Sequence, residues 1–258
     1  MADVPRWAVR ATPWTNSQMI KPDDIRRLEL GHYTMPADSR WPGQKIVVCS
    51  YLVRFDAGLL LFDTGIGRGH ADVEMQYGPI QRRPIHPALA ALGLQATDVT
   101  RVANCHLHLD HCGNNPLFPH TPIFVQKQEL DAMSSLDFVL PELVDFDGVA
   151  LEVHEGEAQI APGLRIIPTP GHTPGHQSLL IDTSQGRILL AGQAMDSASE
   201  FARAQFALAL RESGSTEEAP NPPLWLCQLR EHEVRLVLFA HDLLSWDRDR
   251  ISSELPQM

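Results

Sequence analysis

The sequence predicts an α/β (α+β) fold, and three observations carry that prediction. Short apolar runs of the kind that fill sheet interiors recur along the chain. Helical and turn-rich stretches separate them, which is the pattern of strands interleaved with helices. Three of the runs, residues 99–103, 164–167 and 234–239, each lead directly into a histidine motif. Ligand residues at the C-terminal ends of separate strands converge on one crevice, where open α/β architectures place their chemistry.

The elements follow in order. In the first forty residues Pro5, Pro13, Pro22 and Pro36, with Pro42 just beyond, interrupt any long element, and residues 25–30 read as a short helical turn. Residues 46–53 and 58–62 read as two strands joined near Asp56-Ala57-Gly58, a spacing that suits a hairpin. The second strand runs into Asp63-Thr64-Gly65, which places a carboxylate at a strand terminus. Residues 68–87 are polar without a clear period and read as a long loop, a feature that is often a functional lid. Residues 86–94 read as a helix, with Pro87 in its first turn and Gly93 at its end. A strand over 122–126 precedes a helix over 127–133, and the acidic, aromatic stretch 134–148 reads as surface. Residues 177–182 and 186–191 are strands around a turn at 183–186. A helix over 198–211, a proline- and glutamate-rich loop over 213–223 and a helix over 224–233 lead to the last strand. No linker separates two cores and the histidines are spread over both halves, so residues 1–258 read as a single domain.

Composition narrows the function. Hydrophobic content of 43% and charged content of 21% are ordinary for a globular chain of this length. No apolar run is long enough to span a bilayer, and the N-terminus shows no signal peptide, so a cytoplasmic protein that does not engage membranes is expected. The net charge of −11, with scattered lysines and arginines, excludes nucleic acid as the expected partner. A small-molecule substrate is expected instead. The sequence carries no signal for an oligomer interface. Cys49, Cys105, Cys112 and Cys227 form no CxxC pair, and the two that flank the histidine run read as small buried hydrophobes.

The motif that carries chemistry is His106-Leu107-His108-Leu109-Asp110-His111. Three imidazoles and a carboxylate within six residues point to a metal site of the nitrogen- and carboxylate-rich kind. The turn Thr169-Pro170-Gly171-His172-Thr173-Pro174-Gly175-His176 and the late His241 add further ligand candidates.

With these motifs placed, residues 47–244 resemble metallo-β-lactamase-fold hydrolases. Within that superfamily the HxHxDH run, the 122–126 strand and the GHTPGH turn are most similar to the quorum-quenching N-acyl-homoserine lactonases. The resemblance implies a four-layered αβ/βα sandwich with its metals at one edge. It also implies one metal on His106, His108 and His172, and a second on Asp110, His111 and His241. His106 and His108 alternate, so both imidazoles share one side of an extended segment. His176 matches a position that is usually not a ligand and reads as a histidine that packs or hydrogen-bonds beneath the site. Asp63 either orients a ligand or caps a turn.

Two positions depart from the lactonase pattern. The aspartate that bridges both metals is replaced here by Gln193, a neutral and weak or absent ligand. Three readings follow: two metals with a weak Gln193 contact, one metal bound well and another poorly, or Asp196 reaching back to the site. The tyrosine that polarises the lactone carbonyl is replaced by Asp196, which cannot donate a hydrogen bond unless protonated. Tyr77 in the long loop is a candidate substitute on the substrate side, or a loop aromatic without a role. Leu117, Phe118, Phe138 and Trp225 either line an acyl pocket or pack in the core.

The implied activity is opening of a lactone or ester by a metal-bound hydroxide, with Asp110 handling the proton. Zinc is the expected cofactor, as one or two ions, and iron, manganese and cobalt also suit these donors. Thioester, phosphodiester or β-lactam hydrolysis on the same fold, and metal binding without turnover, are the alternatives.

Overall fold

The computed structural model describes residues 19–39, 41–68, 71–214 and 221–250. Pro5, Pro13, the N-terminal segment and residues 215–220 of the 213–223 loop lie outside them. The chain forms β1 (Ile25–Thr34), β2 (Lys45–Phe55), β3 (Gly58–Phe62), α1 (Ala71–Gln76), β4 (Ile80–Arg82), α2 (Ile85–Ala90), β5 (Arg101–Ala103) and α3 (Leu109–Cys112). Then come β6 (Pro122–Gln126), α4 (Lys127–Ala132), β7 (Ala150–His154), β8 (Ala158–Ala161), β9 (Leu164–Pro168), β10 (Gln177–Thr183) and β11 (Gly186–Leu190). α5 (Ala198–Glu212), α6 (Leu224–Leu229), β12 (Val234–Leu238) and β13 (Ser245–Asp247) complete the described chain.

The strands form two sheets, a seven-stranded one ordered β4-β1-β2-β3-β5-β6-β7 and a six-stranded one ordered β13-β12-β11-β10-β9-β8. Side chains of a strand alternate between faces. In β2, Cys49, Tyr51, Val53 and Phe55 point into a core shared with the other sheet, while Leu52 points to the opposite face. In β11, Ile188 and Leu190 join that same shared core, while Leu189 packs outward with Phe201 of α5 and Trp225 and Leu226 of α6. Leu59 and Leu61 of β3 likewise face outward onto Ile85 and Leu89 of α2. Helix, sheet, sheet and helix are therefore stacked in four layers, and strands buried on both faces read as unbroken apolar runs.

Several expectations need correction. Residues 25–30 form no helical turn; they open β1, which pairs with β2 along its length through a bulge between Glu29 and Gly31. Leu28, Leu30 and Tyr33 are buried there, so sheet pairing overrides the local preference. The segment 68–87 is not wholly loop, because it holds α1 and β4. The segment 134–148 is not simply surface. Leu140, Leu143 and Val144 are buried, and Phe138 O accepts the amide of Leu109 at 3.0 Å, bracing the histidine run.

β3 and β5 run parallel in one sheet, and β11 and β12 run parallel in the other. The loops that leave their C-terminal ends carry Asp63, His106–His111, Gln193 and His241, and the loop after β9 carries His172. The two sheets join at this end. Gln177 N donates to Cys105 O at 2.8 Å, and Cys49 N donates to Ala240 O at 2.8 Å.

Candidate metal centre

His106 lies in a bend after β5, and His108, in extended backbone, stands at the start of the short helix α3, which carries Asp110 and His111. The chain after β3 runs alongside this helix. Thr64 N donates to His111 O at 2.7 Å, and any side chain at Gly67 would meet Gly113 O at 1.7 Å, so only two glycines allow the crossing.

Two triads result. In each of His106–His108–His172 and Asp110–His111–His241, the possible ligand atoms lie within 4.8 Å of one another. In the first, His172 Nε2 stands 3.2 Å from His108 Nδ1, and buried His106 Nε2 has no hydrogen-bond partner among the described residues. Burial and the neighbouring imidazoles push His106 well below its usual pKa, and burial and His172 push His108 down to about 3. Burial first and His111 second bring His172 to about 4. The three rings are bare nitrogen donors at neutral pH.

The second triad is fixed by its outer hydrogen bonds. His111 Nδ1 lies 3.0 Å from Asp63 Oδ2, and His241 Nδ1 lies 2.8 Å from Val47 O. Each Nδ1 has an oxygen to donate to, so in the neutral rings both Nε2 atoms are lone pairs, and they face each other at 3.2 Å. Asp110 Oδ2, a buried oxygen without a partner among the described residues, lies 3.6 Å from His111 Nε2 and 3.5 Å from His241 Nε2. Three acceptors converging with no hydrogen between them call for a cation. Burial lowers the His111 pKa, but Asp110 and Asp63 outweigh it and bring the ring to about 9. The protein therefore meets that demand with a proton when no metal is bound. The orphaned His106 Nε2 and Asp110 Oδ2 fit a metal ion as the bound species.

The surrounding residues hold these ligands. Asp63, with φ of 62°, accepts from Cys105 N at 2.7 Å as well as from His111, a strained backbone position held by both contacts. Tyr77 is buried and donates to Asp110 Oδ1 at 3.0 Å, which leaves Oδ2 as the free oxygen of that carboxylate. His176 has both nitrogens occupied, by Thr169 Oγ1 at 2.8 Å and by Gln193 N at 3.1 Å. The buried Cys105 Sγ lies 3.1 Å from His106 Nδ1, and burial raises its pKa so that it stays a thiol. Gln193 Nε2 donates to Asp196 Oδ1 at 3.1 Å, so Asp196 meets the amide.

Glu129 supports the site without belonging to any of its motifs. This buried side chain of α4 accepts from Leu107 N at 3.1 Å, Thr173 Oγ1 at 2.7 Å and Gly175 N at 3.0 Å. It ties the HxHxDH segment to the GHTPGH turn. Its partners are two backbone amides and a hydroxyl, which leave no spacing signature.

A cavity of about 770 Å³ opens beside the second triad, with Gln193, Asp196 and His241 at its inner end. Met35, Trp41, Ile46 and Leu243 give it apolar walls, and Lys45 and Arg203 add charge. Tyr77 is not among its lining residues, whereas Tyr33 is. Phe118 and Trp225 are core residues, and the Phe138 ring packs 5.6 Å from that of His108.

With this geometry in place, comparison with known proteins agrees on the class. Residues 46–195 match the metallo-beta-lactamase superfamily, and the chain belongs to it. It is 32% identical over 226 residues to the N-acyl homoserine lactonase AiiA of Bacillus thuringiensis subsp. kurstaki, covering 78% of this chain and 84% of that protein. It is 33% identical over 144 residues to the human metallo-beta-lactamase domain-containing protein 1, covering 54% of this chain and 44% of the relative. Among solved structures, an N-acyl homoserine lactone hydrolase with the product N-hexanoyl-L-homoserine bound at its catalytic metal centre superposes with a TM-score of 0.66. That pair shares 24% identity over 93% of this chain and 98% of the other. AidC, a dizinc quorum-quenching lactonase, superposes with a TM-score of 0.58 at 16% identity, over 88% of this chain and 90% of the other. Among the described residues no helix is long and apolar enough to cross a membrane.

Proposed function

We propose that this protein is a zinc-dependent hydrolase that opens lactones of the N-acyl-homoserine type. The observation that carries the reading is the convergence of two ligand triads in which buried His106 Nε2 and Asp110 Oδ2 have no hydrogen-bond partner among the described residues. His106, His108 and His172 hold one ion, Asp110, His111 and His241 hold the second, and Gln193 stands beside them. Imidazole and carboxylate donors suit zinc, and iron, manganese and cobalt after it. When bound, the metal supplies an acidified water and positive charge for the developing oxyanion.

The chain's own residues do the rest. His111 and His241 hold Asp110 below the usual carboxylate range despite its burial, so it is ionised at neutral pH. Asp110, held in place by the Tyr77 hydroxyl, accepts the proton of the attacking water and returns it to the leaving oxygen of the ring. The cavity takes the substrate with its acyl chain against Met35, Trp41 and Ile46. One apolar core lies between the two sheets, which supports reading the chain as a single domain. The four free cysteines suit a reducing, cytoplasmic location.

The test is zinc content per chain together with ring opening of N-acyl-homoserine lactones, with thioesters and phosphodiesters run in parallel. Turnover of a lactone that a chelator abolishes and zinc restores is expected. Bound metal with no lactone opening would refute the reading.

A further inference from the structure

The two departures from the lactonase pattern touch each other. Gln193 Nε2 donates to Asp196 Oδ1 at 3.1 Å. An amide whose amino group is held this way turns its carbonyl oxygen to the other side. The base of the side chain is also pinned, because Gln193 N donates to His176 Nε2 at 3.1 Å. Asp196 is fixed in turn. Its own amide donates to Glu200 Oε2 at 2.8 Å, and Glu200 N donates to Ser197 Oγ at 3.2 Å in the cap of α5.

We propose that Asp196 is a positioning residue for the metal centre: it holds Gln193 with Oε1 toward the Asp110–His111–His241 triad and returns, one hydrogen bond away, the negative charge that an aspartate at 193 would carry. This rests on the metal-centre reading above. A neutral amide oxygen is a weak ligand for a dication. A carboxylate bonded to the far end of the amide polarises it toward its oxygen and compensates part of the charge. The glutamine and the aspartate then act as a unit, and each departure makes sense only with the other.

The test uses the full chain with zinc as the probe, by chelator competition and elemental analysis. Asp196→Asn keeps an acceptor for the amide but removes the charge, and Asp196→Leu removes both. Two zinc ions per wild-type chain are expected. The weaker dissociation constant should rise about tenfold in Asp196→Asn and about a hundredfold in Asp196→Leu, the range for losing a group that orients a ligand. The tighter constant should not move. In a Gln193→Asp background Asp196→Leu should change neither constant, a rescue that a merely structural role would not show. A second zinc bound equally by wild type and Asp196→Leu overturns the proposal, as does an equal loss in the Gln193→Asp background. A single tight zinc in every variant overturns it, and the second ion with it, and leaves a one-metal site at the first triad standing. No zinc in any variant overturns that reading itself.

Discussion

Replacing Glu129 by alanine removes the carboxylate that fastens the two histidine loops to each other. Its oxygens accept three hydrogen bonds, from Leu107 N, Thr173 Oγ1 and Gly175 N. Hydrogen bonds to a charged group are each worth about 1.5–3 kcal/mol, and buried donors left unsatisfied cost about 1–3 kcal/mol each. Water entering the vacated volume recovers part of that, and burial itself opposes the charged form of Glu129. A loss of about 3–5 kcal/mol in the metal-free protein is therefore expected. The second consequence is local. Leu107 lies between His106 and His108, and Thr173 and Gly175 follow His172. Loosening both segments should weaken zinc at the first triad by about ten- to a hundredfold. Glu129→Gln should fare little better, because its amino group would face a backbone N–H. Urea denaturation of metal-free protein and zinc competition read the two effects separately. A metal-free stability within about 1 kcal/mol of wild type, with unchanged zinc affinity, would refute the reasoning.

Three further outcomes are expected. Asp110→Asn should cost several orders of magnitude in lactone hydrolysis, and an active, fully metallated variant would sink the proton-transfer role. His111 in the metal-free protein stays protonated below about 9, whereas His108 and His172 are bare above about 3 and about 4. Zinc at the second triad should thus release a proton below that upper pH, its affinity rising about tenfold per pH unit, while the first triad stays flat; calorimetry in buffers of different ionisation enthalpy checks this. Gly192→Ala should destabilise strongly, since φ is +59° and an added Cβ would sit 2.5 Å from Cys105 Cβ, and a thermal midpoint equal to wild type would contradict that packing.

Much of this fold was legible in the sequence, and the misses share a cause. Most of the strands buried on both faces, β2, β3, β6 and β9 to β12, stand out as apolar runs. The four edge strands, β4, β7, β8 and β13, do not. An edge strand has partners on one side only and carries polar residues, as in Ala150–His154 with its exposed Glu152 and Val153. The histidines and Asp110 were legible because ligand chemistry demands those residue types at close spacing. Glu129, the carbonyl of Val47 and the hydroxyl of Tyr77 act through hydrogen bonds to groups far away in the sequence. Their contribution exists only after distant segments have been brought together. Tyr77 illustrates the difference: it stands out in the sequence as a loop aromatic, but only the fold places it against Asp110.

The position of bound zinc decides whether the two triads are the metal ligands. The direct test is diffraction at the zinc absorption edge from crystals grown with zinc. One anomalous peak is expected among His106, His108 and His172, and another among Asp110, His111 and His241 with Gln193 Oε1 turned toward it. Zinc found elsewhere, or these imidazoles still facing each other with no metal between them, would contradict that assignment.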